Sequence, residues 1–189
     1  KVAAEECVVA LVGPAYSGAS RVSLPIYEAA MLPIITPSAT NPTLWDFGKT
    51  VFHRAVLTDD YQGPALARLV TSRVKNAKVF LVNDATDYSV GLAKTVDITL
   101  AGRLVGKDTT PQGTTDFTAT IAKIKKAKAT AVIYTGYFSQ ASVFVKQLRD
   151  SGSKAVFAAG DGVLDAQFVK LARKAAEGVL LSAPAIPME

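Results

Sequence analysis

Short apolar runs alternate with segments of helical periodicity along almost the whole chain. The runs are rich in valine, isoleucine and leucine and are bounded by glycine, proline or polar residues, which is typical of buried strands. They predict strands at 7–13, 33–36, 51–54, 78–83, 102–109, 131–135, 156–159 and 178–182. Between them, apolar residues recur at helical spacing and predict helices at 18–31, 60–74, 87–100, 117–126, 140–151 and 166–175.

This alternation predicts an α/β fold of doubly wound parallel sheets, covered by helices on both faces. On the first helix, we expect a buried face made of Val22, Ile26, Ala29 and Ala30. On the second helix, we expect a buried face made of Leu66, Leu69, Val70 and Val74. Asp87 and Asp116 are expected to cap the next two helices.

Candidate site residues follow the predicted strands, because parallel sheets bind ligands beyond the carboxyl ends of their strands. The segments at these positions are Ser17, 36–40, 84–88, 136–138 and 160–161. The first is the most informative, since an apolar run ends in Gly13-Pro14 and hydroxyl residues then open a helix. Backbone N–H groups at a helix start suit a carboxylate or a phosphate, so Ser17 is the first candidate for anion binding.

Composition and charge narrow the classes of function. The 189 residues are 49% hydrophobic and 20% charged, with no run near the ~20 apolar residues of a membrane span and no apolar signal core near the start. The net charge of +5 is dispersed, apart from a cluster at a predicted helix end formed by Lys123, Lys125, Lys126 and Lys128. Cations complement the helix dipole there, so no nucleic-acid partner is expected. The single cysteine, Cys7, is expected in the core.

Catalytic and metal-binding interpretations find little support. The segment 15–19 resembles a nucleophile elbow in which alanine replaces both flanking glycines, but its base would be His53, which lies inside a predicted strand. We therefore expect no catalytic residue. Asp84 and Asp87 have no further carboxylates or histidines beside them and are expected to serve a loop and a helix cap, so no metal site is expected. No glycine-rich phosphate or dinucleotide motif is present, and no cofactor is expected.

Six segments together resemble a known family, namely 13–17, 32–42, 87–91, 115–118, 134–137 and 160–162. Their order and spacing are similar to those of type I periplasmic binding proteins, in particular the leucine/isoleucine/valine branch that serves ABC importers. The resemblance extends over essentially the whole chain. It implies a two-lobed protein that binds an amino acid between its lobes by hinge closure.

In the first lobe, the resemblance implies that Ser17 and Thr40 bind the α-carboxylate of the ligand. The carbonyl of Ser38 is implied to receive the α-ammonium, and Ala39 lies between these residues in the same binding segment. Tyr16 is a candidate for the pocket that surrounds the ligand side chain.

In the second lobe, the resemblance implies that Tyr88 and Tyr137 close over the ligand and that Phe138 contributes to its side-chain pocket. Asp161 is implied to receive the α-ammonium, since a buried ammonium needs an acidic partner. Close members of the family have glutamate at this position. The shorter aspartate would leave room for a water molecule or suit a ligand whose amine is placed differently.

The resemblance also implies how the chain is divided. Residues 1–58 are expected to form an incomplete first lobe, 59–184 the second lobe, and 185–189 the start of the return crossover. We expect the chain to be a fragment of a longer protein. The strand 7–13 would then have an open apolar edge, which favours strand exchange or dimerisation.

The implied partners are a branched-chain amino acid and the membrane permease and ATPase of an importer. The implied location is the periplasm, or the outer face of the membrane as a lipoprotein in a Gram-positive source. Two alternatives remain open from the sequence. One is a member of the same family that binds amides, urea or aromatic acids, and the other is a ligand-sensing receptor domain.

Overall fold

The computed structural model describes residues 2–185, which form two compact units. Unit 1 comprises 2–59 and 184–185, and unit 2 comprises Asp60–Ala183. The predicted return segment 185–189 lies outside the described residues except for its first position. Within the described part of the chain, no helix combines the length and the hydropathy needed to cross a membrane.

Unit 1 is built on a short parallel sheet. Its strands are β1 (Leu11–Val12), β2 (Ile34–Thr36) and β3 (Phe52–Arg54), in that spatial order. The helix α1 (Ser17–Ala29) connects β1 to β2, and a 3₁₀ segment at Pro42–Phe47 precedes β3. The small core between helix and sheet consists of Leu24, Ile34, Ala39, Leu44 and Phe52.

The first strand is shorter than its apolar run predicts. A strand was expected over 7–13, but only Leu11–Val12 pairs with β2. Val9 is 82% exposed and Val12 is 79% exposed, and Cys7, which was expected in the core, is also exposed. The reason is that β1 has a single neighbouring strand among the described residues, so much of its surface has nothing to pack against.

The helix α1 packs through a different face from the predicted one. The residues expected to be buried are exposed, namely Val22, Ile26, Ala29 and Ala30. Instead Ser17, Ser20 and Leu24 are buried. The Ser20 hydroxyl donates to the Pro14 carbonyl at 3.4 Å, and the Ser17 hydroxyl accepts from the backbone N–H of Asn41 at 3.3 Å. These two contacts orient the helix, and apolar periodicity does not encode them.

Unit 2 contains a five-stranded parallel sheet with the spatial order β5-β4-β6-β7-β8. Its strands are β4 (Val79–Asn83), β5 (Leu104–Thr109), β6 (Ala131–Tyr134), β7 (Val156–Ala159) and β8 (Leu180–Leu181). Its helices are α2 (Asp59–Arg73, which starts at the unit boundary), α3 (Asp87–Thr99), α4 (Thr118–Lys126), α5 (Phe138–Asp150) and α6 (Ala166–Ala172).

This sheet is buried on both faces. Side chains of one face, such as Val82 and Phe157, pack against α4, α5 and α6. Side chains of the other face, such as Leu81 and Ile133, pack against α2 and α3. The predicted α/β class, with parallel strands between two helical layers, is therefore confirmed. The buried set of α2 is also confirmed in the main, with two residues fully and two partly buried, namely Leu66, Val70, Leu69 and Val74.

Two of the helix starts show how capping differs from the sequence prediction. The cap of α3 is Thr86, whose hydroxyl accepts from the backbone N–H of Ser89 at 3.3 Å. Asp87, the predicted cap, is instead the first helical residue, where its negative charge interacts favourably with the helix dipole. At α4 the cap position is Phe117, which makes no side-chain capping bond, so Asp116 is not the cap that was predicted. Asp116 lies one residue earlier, and its carboxylate accepts from the backbone N–H of Thr118 at 2.9 Å.

Candidate ligand-binding site

The carboxyl ends of β1 and β2 carry a group of hydroxyl side chains, here called the hydroxyl cluster (Ser17, Thr36, Ser38 and Thr40). The Thr36 hydroxyl donates to the Pro14 carbonyl at 2.6 Å and accepts from the backbone N–H of Ala39 at 3.0 Å. The Ser38 hydroxyl donates to the Ala15 carbonyl at 2.6 Å. These bonds join the loop after β1 to the loop after β2, so the two loops form one rigid surface.

Two hydroxyl groups of this cluster keep a proton with no acceptor in the described part of the chain. Thr40 is 0% exposed, and its Oγ1 has no hydrogen-bond partner. Ser17 is 1% exposed, and the one hydrogen bond of its side chain to the described residues uses the hydroxyl oxygen as an acceptor from the backbone N–H of Asn41. Buried polar groups nearly always have a partner, so both hydroxyls are suited to an acceptor that the chain itself does not supply.

The helix start strengthens this preference for an anion. Ser17 is the first residue of α1, a helix of 13 residues. The first N–H groups of a helix have no partner within it and carry partial positive charge. A ligand carboxylate here would receive hydrogen bonds from hydroxyl and amide donors together, and such charge-assisted bonds are the stronger kind.

The sequence pattern did not single out Arg54, which supports the cluster from β3. Its guanidinium donates to the Ala39 carbonyl at 2.8 Å and to the Asn41 carbonyl at 3.1 Å. Both carbonyls flank Thr40, so the arginine fixes the backbone that presents the buried hydroxyl. The register of β2 and β3 is the feature that could have identified Arg54, because Arg54 pairs with Thr36 at the ends of these strands.

The other residues predicted in the first lobe have different surroundings. Both backbone polar groups of Ala39 are engaged, by Thr36 and Arg54, and its side chain is part of the core. The Ser38 carbonyl has no hydrogen-bond partner among the described residues and is open to a donor. Tyr16 precedes α1 and is 61% exposed.

Unit 2 brings three of the predicted residues together with a fourth, here called the carboxylate cluster (Gln62, Tyr88, Tyr137 and Asp161). The Tyr88 hydroxyl donates to Oδ1 of Asp161 at 2.8 Å and accepts from the backbone N–H of Gly162 at 3.0 Å. The rings of Tyr88 and Tyr137 pack with their centroids 5.2 Å apart. The cluster therefore has an acidic group that is hydrogen-bonded to one of two packed tyrosines at the carboxyl ends of the strands.

Gln62 on α2 is the member that sequence reasoning missed. Its side-chain amide donates to the Ser182 carbonyl at 3.2 Å, and it favours the ionised form of the Asp161 carboxyl group. A glutamine at the start of a helix has no special pattern in sequence, and this contact depends on tertiary packing. Burial raises the pKa of Asp161, although hydrogen bonds from Tyr88, Gln62 and two backbone N–H groups oppose that rise.

The glycines beside Asp161 leave no space for side chains. A Cβ atom at Gly160 would lie 2.5 Å from a methyl group of Leu92 and 2.6 Å from the Tyr88 hydroxyl. At Gly162 it would lie 2.8 Å from the Tyr88 ring and 2.9 Å from the Gly136 carbonyl. The absence of both Cβ atoms lets the loop approach the tyrosine closely enough for the Tyr88–Asp161 bond.

Phe138 lies apart from the carboxylate cluster. It is partly buried against the α4, α5 and α6 face of the sheet, whereas Tyr137 packs toward the α2 and α3 face. Asp84 is buried and stabilises its own loop, accepting from the backbone N–H of Thr86 at 3.0 Å and from its hydroxyl at 2.6 Å. His53 is exposed on β3. Within residues 2–185, no three His, Cys, Asp or Glu side chains are grouped as a metal site.

Comparison with known proteins gives a consistent result. A family model described as "Periplasmic binding protein" matches residues 1–189. The leucine-specific-binding protein of Salmonella typhimurium is 32% identical over 177 residues, which cover 92% of this chain and 48% of that protein. This chain thus spans about half the length of the curated relatives that it matches.

Solved structures agree with the sequence relatives. A leucine binding protein from Thermotoga maritima superposes with a TM-score of 0.89 at 29% identity, covering 94% of this chain and 51% of that chain. A branched-chain amino acid transporter substrate binding protein from Streptococcus pneumoniae, solved in complex with isoleucine, gives a TM-score of 0.85 at 30% identity, covering 95% and 52%.

Proposed function

Because this chain belongs to the periplasmic binding protein family, we propose that it recognises the zwitterionic backbone of a branched-chain amino acid. The hydroxyl cluster of unit 1 binds the α-carboxylate, and the carboxylate cluster of unit 2 binds the α-ammonium. The observation that carries the proposal is the buried Thr40 hydroxyl, which lacks a partner among the described residues and lies in the same cluster as the start of α1.

The ligand α-carboxylate is bound by two kinds of hydrogen-bond donor from the hydroxyl cluster. The hydroxyls of Ser17 and Thr40 each offer a proton, and the first N–H groups of α1 add partial positive charge. Arg54 acts through the backbone around Thr40 and not by direct contact with the ligand. Each charge-assisted bond contributes about 1.5–3 kcal/mol, so the loss of one hydroxyl is expected to weaken binding about 10- to 100-fold.

The ligand α-ammonium is bound by hydrogen-bond acceptors. An α-ammonium has three protons, and the acceptors proposed for it are the Asp161 carboxylate and the Ser38 carbonyl. A buried ammonium without an anionic partner is strongly unfavourable, so the acidic residue selects ligands that carry an amine. Relatives named for leucine and for leucine, isoleucine and valine support a branched-chain side chain.

The role of the whole protein follows as part of the same proposal. The complete protein acts outside the cytoplasm as the substrate-binding component of an ABC importer, where it delivers the amino acid to a membrane permease driven by an ATPase. The chain performs no catalysis in this scheme.

Isothermal titration calorimetry with leucine, isoleucine and valine tests the assignment. We expect binding to the native protein, and about tenfold or greater loss in Thr40→Val and Ser17→Ala. Ser72→Ala, which alters an exposed hydroxyl on α2, is the matched control and should bind normally. Titrations with acetamide, urea and 4-hydroxybenzoate test the alternative. Binding of one of these without any amino-acid binding would refute the proposal and favour a different ligand class.

A further inference from the structure

The Tyr88 hydroxyl is already engaged by the protein. A phenol has one proton to donate, and this proton goes to Oδ1 of Asp161 at 2.8 Å. Its oxygen accepts from the backbone N–H of Gly162 at 3.0 Å. The side chain is 4% exposed and is packed against Tyr137. The hydroxyl is therefore positioned to act on the carboxylate, and it has no second proton for a ligand.

The amide group of Gln62 is engaged in a similar way. One N–H donates to the Ser182 carbonyl at 3.2 Å, and the amide also favours the ionised form of the Asp161 carboxyl group. The Ser182 carbonyl is an acceptor, which fixes the amide nitrogen on that side, and the buried Oε1 has no partner among the described residues. Since Gln62 is 1% exposed, its orientation is set by these partners and not by solvent.

These two donors matter because the surroundings of Asp161 are otherwise unfavourable for charge. Burial is the main influence on the carboxyl group and raises its pKa. The groups that oppose burial are the Tyr88 hydroxyl from α3, the Gln62 amide from α2, and the backbone N–H groups of residues 161 and 162. Among the described residues, the groups that lower this pKa again are all neutral donors.

We propose that Tyr88 and Gln62 are positioning residues that orient the Asp161 carboxylate and thereby determine the preference for ligands with an amine. This inference rests on the proposed function of the carboxylate cluster. It assigns the Tyr88 hydroxyl a different role from contact with the ligand, and it adds a residue on α2 to the determinants of specificity.

A pair of ligands that differ only in the amine separates positioning from structural damage. Leucine and 4-methylpentanoate share the carbon skeleton and the carboxylate, but the second lacks the ammonium. In Tyr88→Phe and Gln62→Met we expect leucine affinity to fall about tenfold or more, while 4-methylpentanoate affinity stays within about twofold. The controls Tyr61→Phe and Gln167→Met change exposed residues of the same types and should leave both affinities unchanged. An equal loss for both ligands, or no loss for leucine, would overturn the proposal.

A second measurement needs no ligand and separates this inference from the proposed function. Carbon-13 NMR of labelled aspartate follows the titration of the Asp161 carboxyl group in the free protein. Removing the Tyr88 hydroxyl or the Gln62 amide removes a donor to the ionised form, so the pKa of Asp161 should rise further in each variant. If native protein binds no amino acid, the proposed function fails while this titration still tests positioning. An Asp161 titration that is unchanged in both variants contradicts the inference.

Discussion

The Thr40→Val substitution exchanges a buried hydroxyl for a methyl group of nearly the same shape. Thr40 is 0% exposed, and its Oγ1 has no partner among the described residues. A buried polar group without a hydrogen bond costs about 1–3 kcal/mol, whereas an apolar group of the same shape carries no such cost. We therefore expect the free energy of unfolding of the ligand-free variant to increase by about 1 kcal/mol.

Ser17→Ala, in the same hydroxyl cluster, is expected to have the opposite effect on the free energy of unfolding. The Ser17 hydroxyl accepts from the backbone N–H of Asn41, which is itself 4% exposed. Alanine would leave that N–H unpaired, and we expect a decrease of about 1–3 kcal/mol in the free energy of unfolding. Both variants should nevertheless lose leucine affinity, because each removes one of the proposed donors to the ligand carboxylate.

Equilibrium urea unfolding of the two variants and the native protein without ligand measures the stabilities, and calorimetry with leucine measures the affinities. The reasoning predicts opposite changes in stability and parallel losses in binding. A Thr40→Val protein that is less stable than the native one would show that the hydroxyl has a partner in the native fold. Unchanged leucine affinity in this variant would remove Thr40 from the site.

Three further predictions concern packing, the site loop and acid stability. Leu24→Ala should destabilise unit 1 by about 2–5 kcal/mol, whereas Ile26→Ala should change the free energy of unfolding by less than about 0.5 kcal/mol. Urea unfolding measures both effects, and the reverse order would show that the other face of α1 is the buried one. Gly162→Ala should weaken leucine binding more than tenfold, because its Cβ would lie 2.8 Å from an aromatic ring, and calorimetry tests this. Burial raises the pKa of Asp108, but hydrogen bonds from Lys123 and a threonine outweigh it and hold this pKa below its usual value. Ionised Asp108 therefore contributes stability above its unfolded pKa of about 3.9, and this contribution is lost as the pH falls through the lower folded value. In Lys123→Ala, unfolding compared at about pH 5 and about pH 3 should show a smaller loss on acidification, and an unchanged loss would exclude this ion pair as its source.

The order of strands and helices could be predicted from the sequence because a strand buried on both faces is apolar along its whole length. The run 156–159 matches β7 at both ends for this reason. The placement of the candidate residues could be predicted as well, since parallel topology alone places Ser17, Thr40 and Asp161 just beyond strands or at helix starts. That they bind a ligand stays a prediction. These inferences depend on local pattern and on connectivity, which the sequence contains.

The parts that could not be predicted depend on partners that are distant in sequence. The buried face of α1 depends on serine contacts with two loops, and the larger number of apolar residues favoured the wrong side. Gln62 and Arg54 act on residues 99 and 15 positions away, counted from Gln62 to Asp161 and from Arg54 to Ala39. A neutral amide or a strand-end arginine has no local signal for such a role.

For the ligand site proposed above, the glycines on both sides of Asp161 have a consequence for redesign of ligand preference. Because neither position accepts a Cβ atom without displacing a tyrosine, a leucine or a backbone carbonyl, the path of this loop is fixed. Variation is then confined to the side chain at position 161, where the length and charge of one residue can change while the backbone stays in place. A library for sensors of new amines or hydroxy acids should therefore vary position 161 and its two donors, and should keep Gly160 and Gly162 constant.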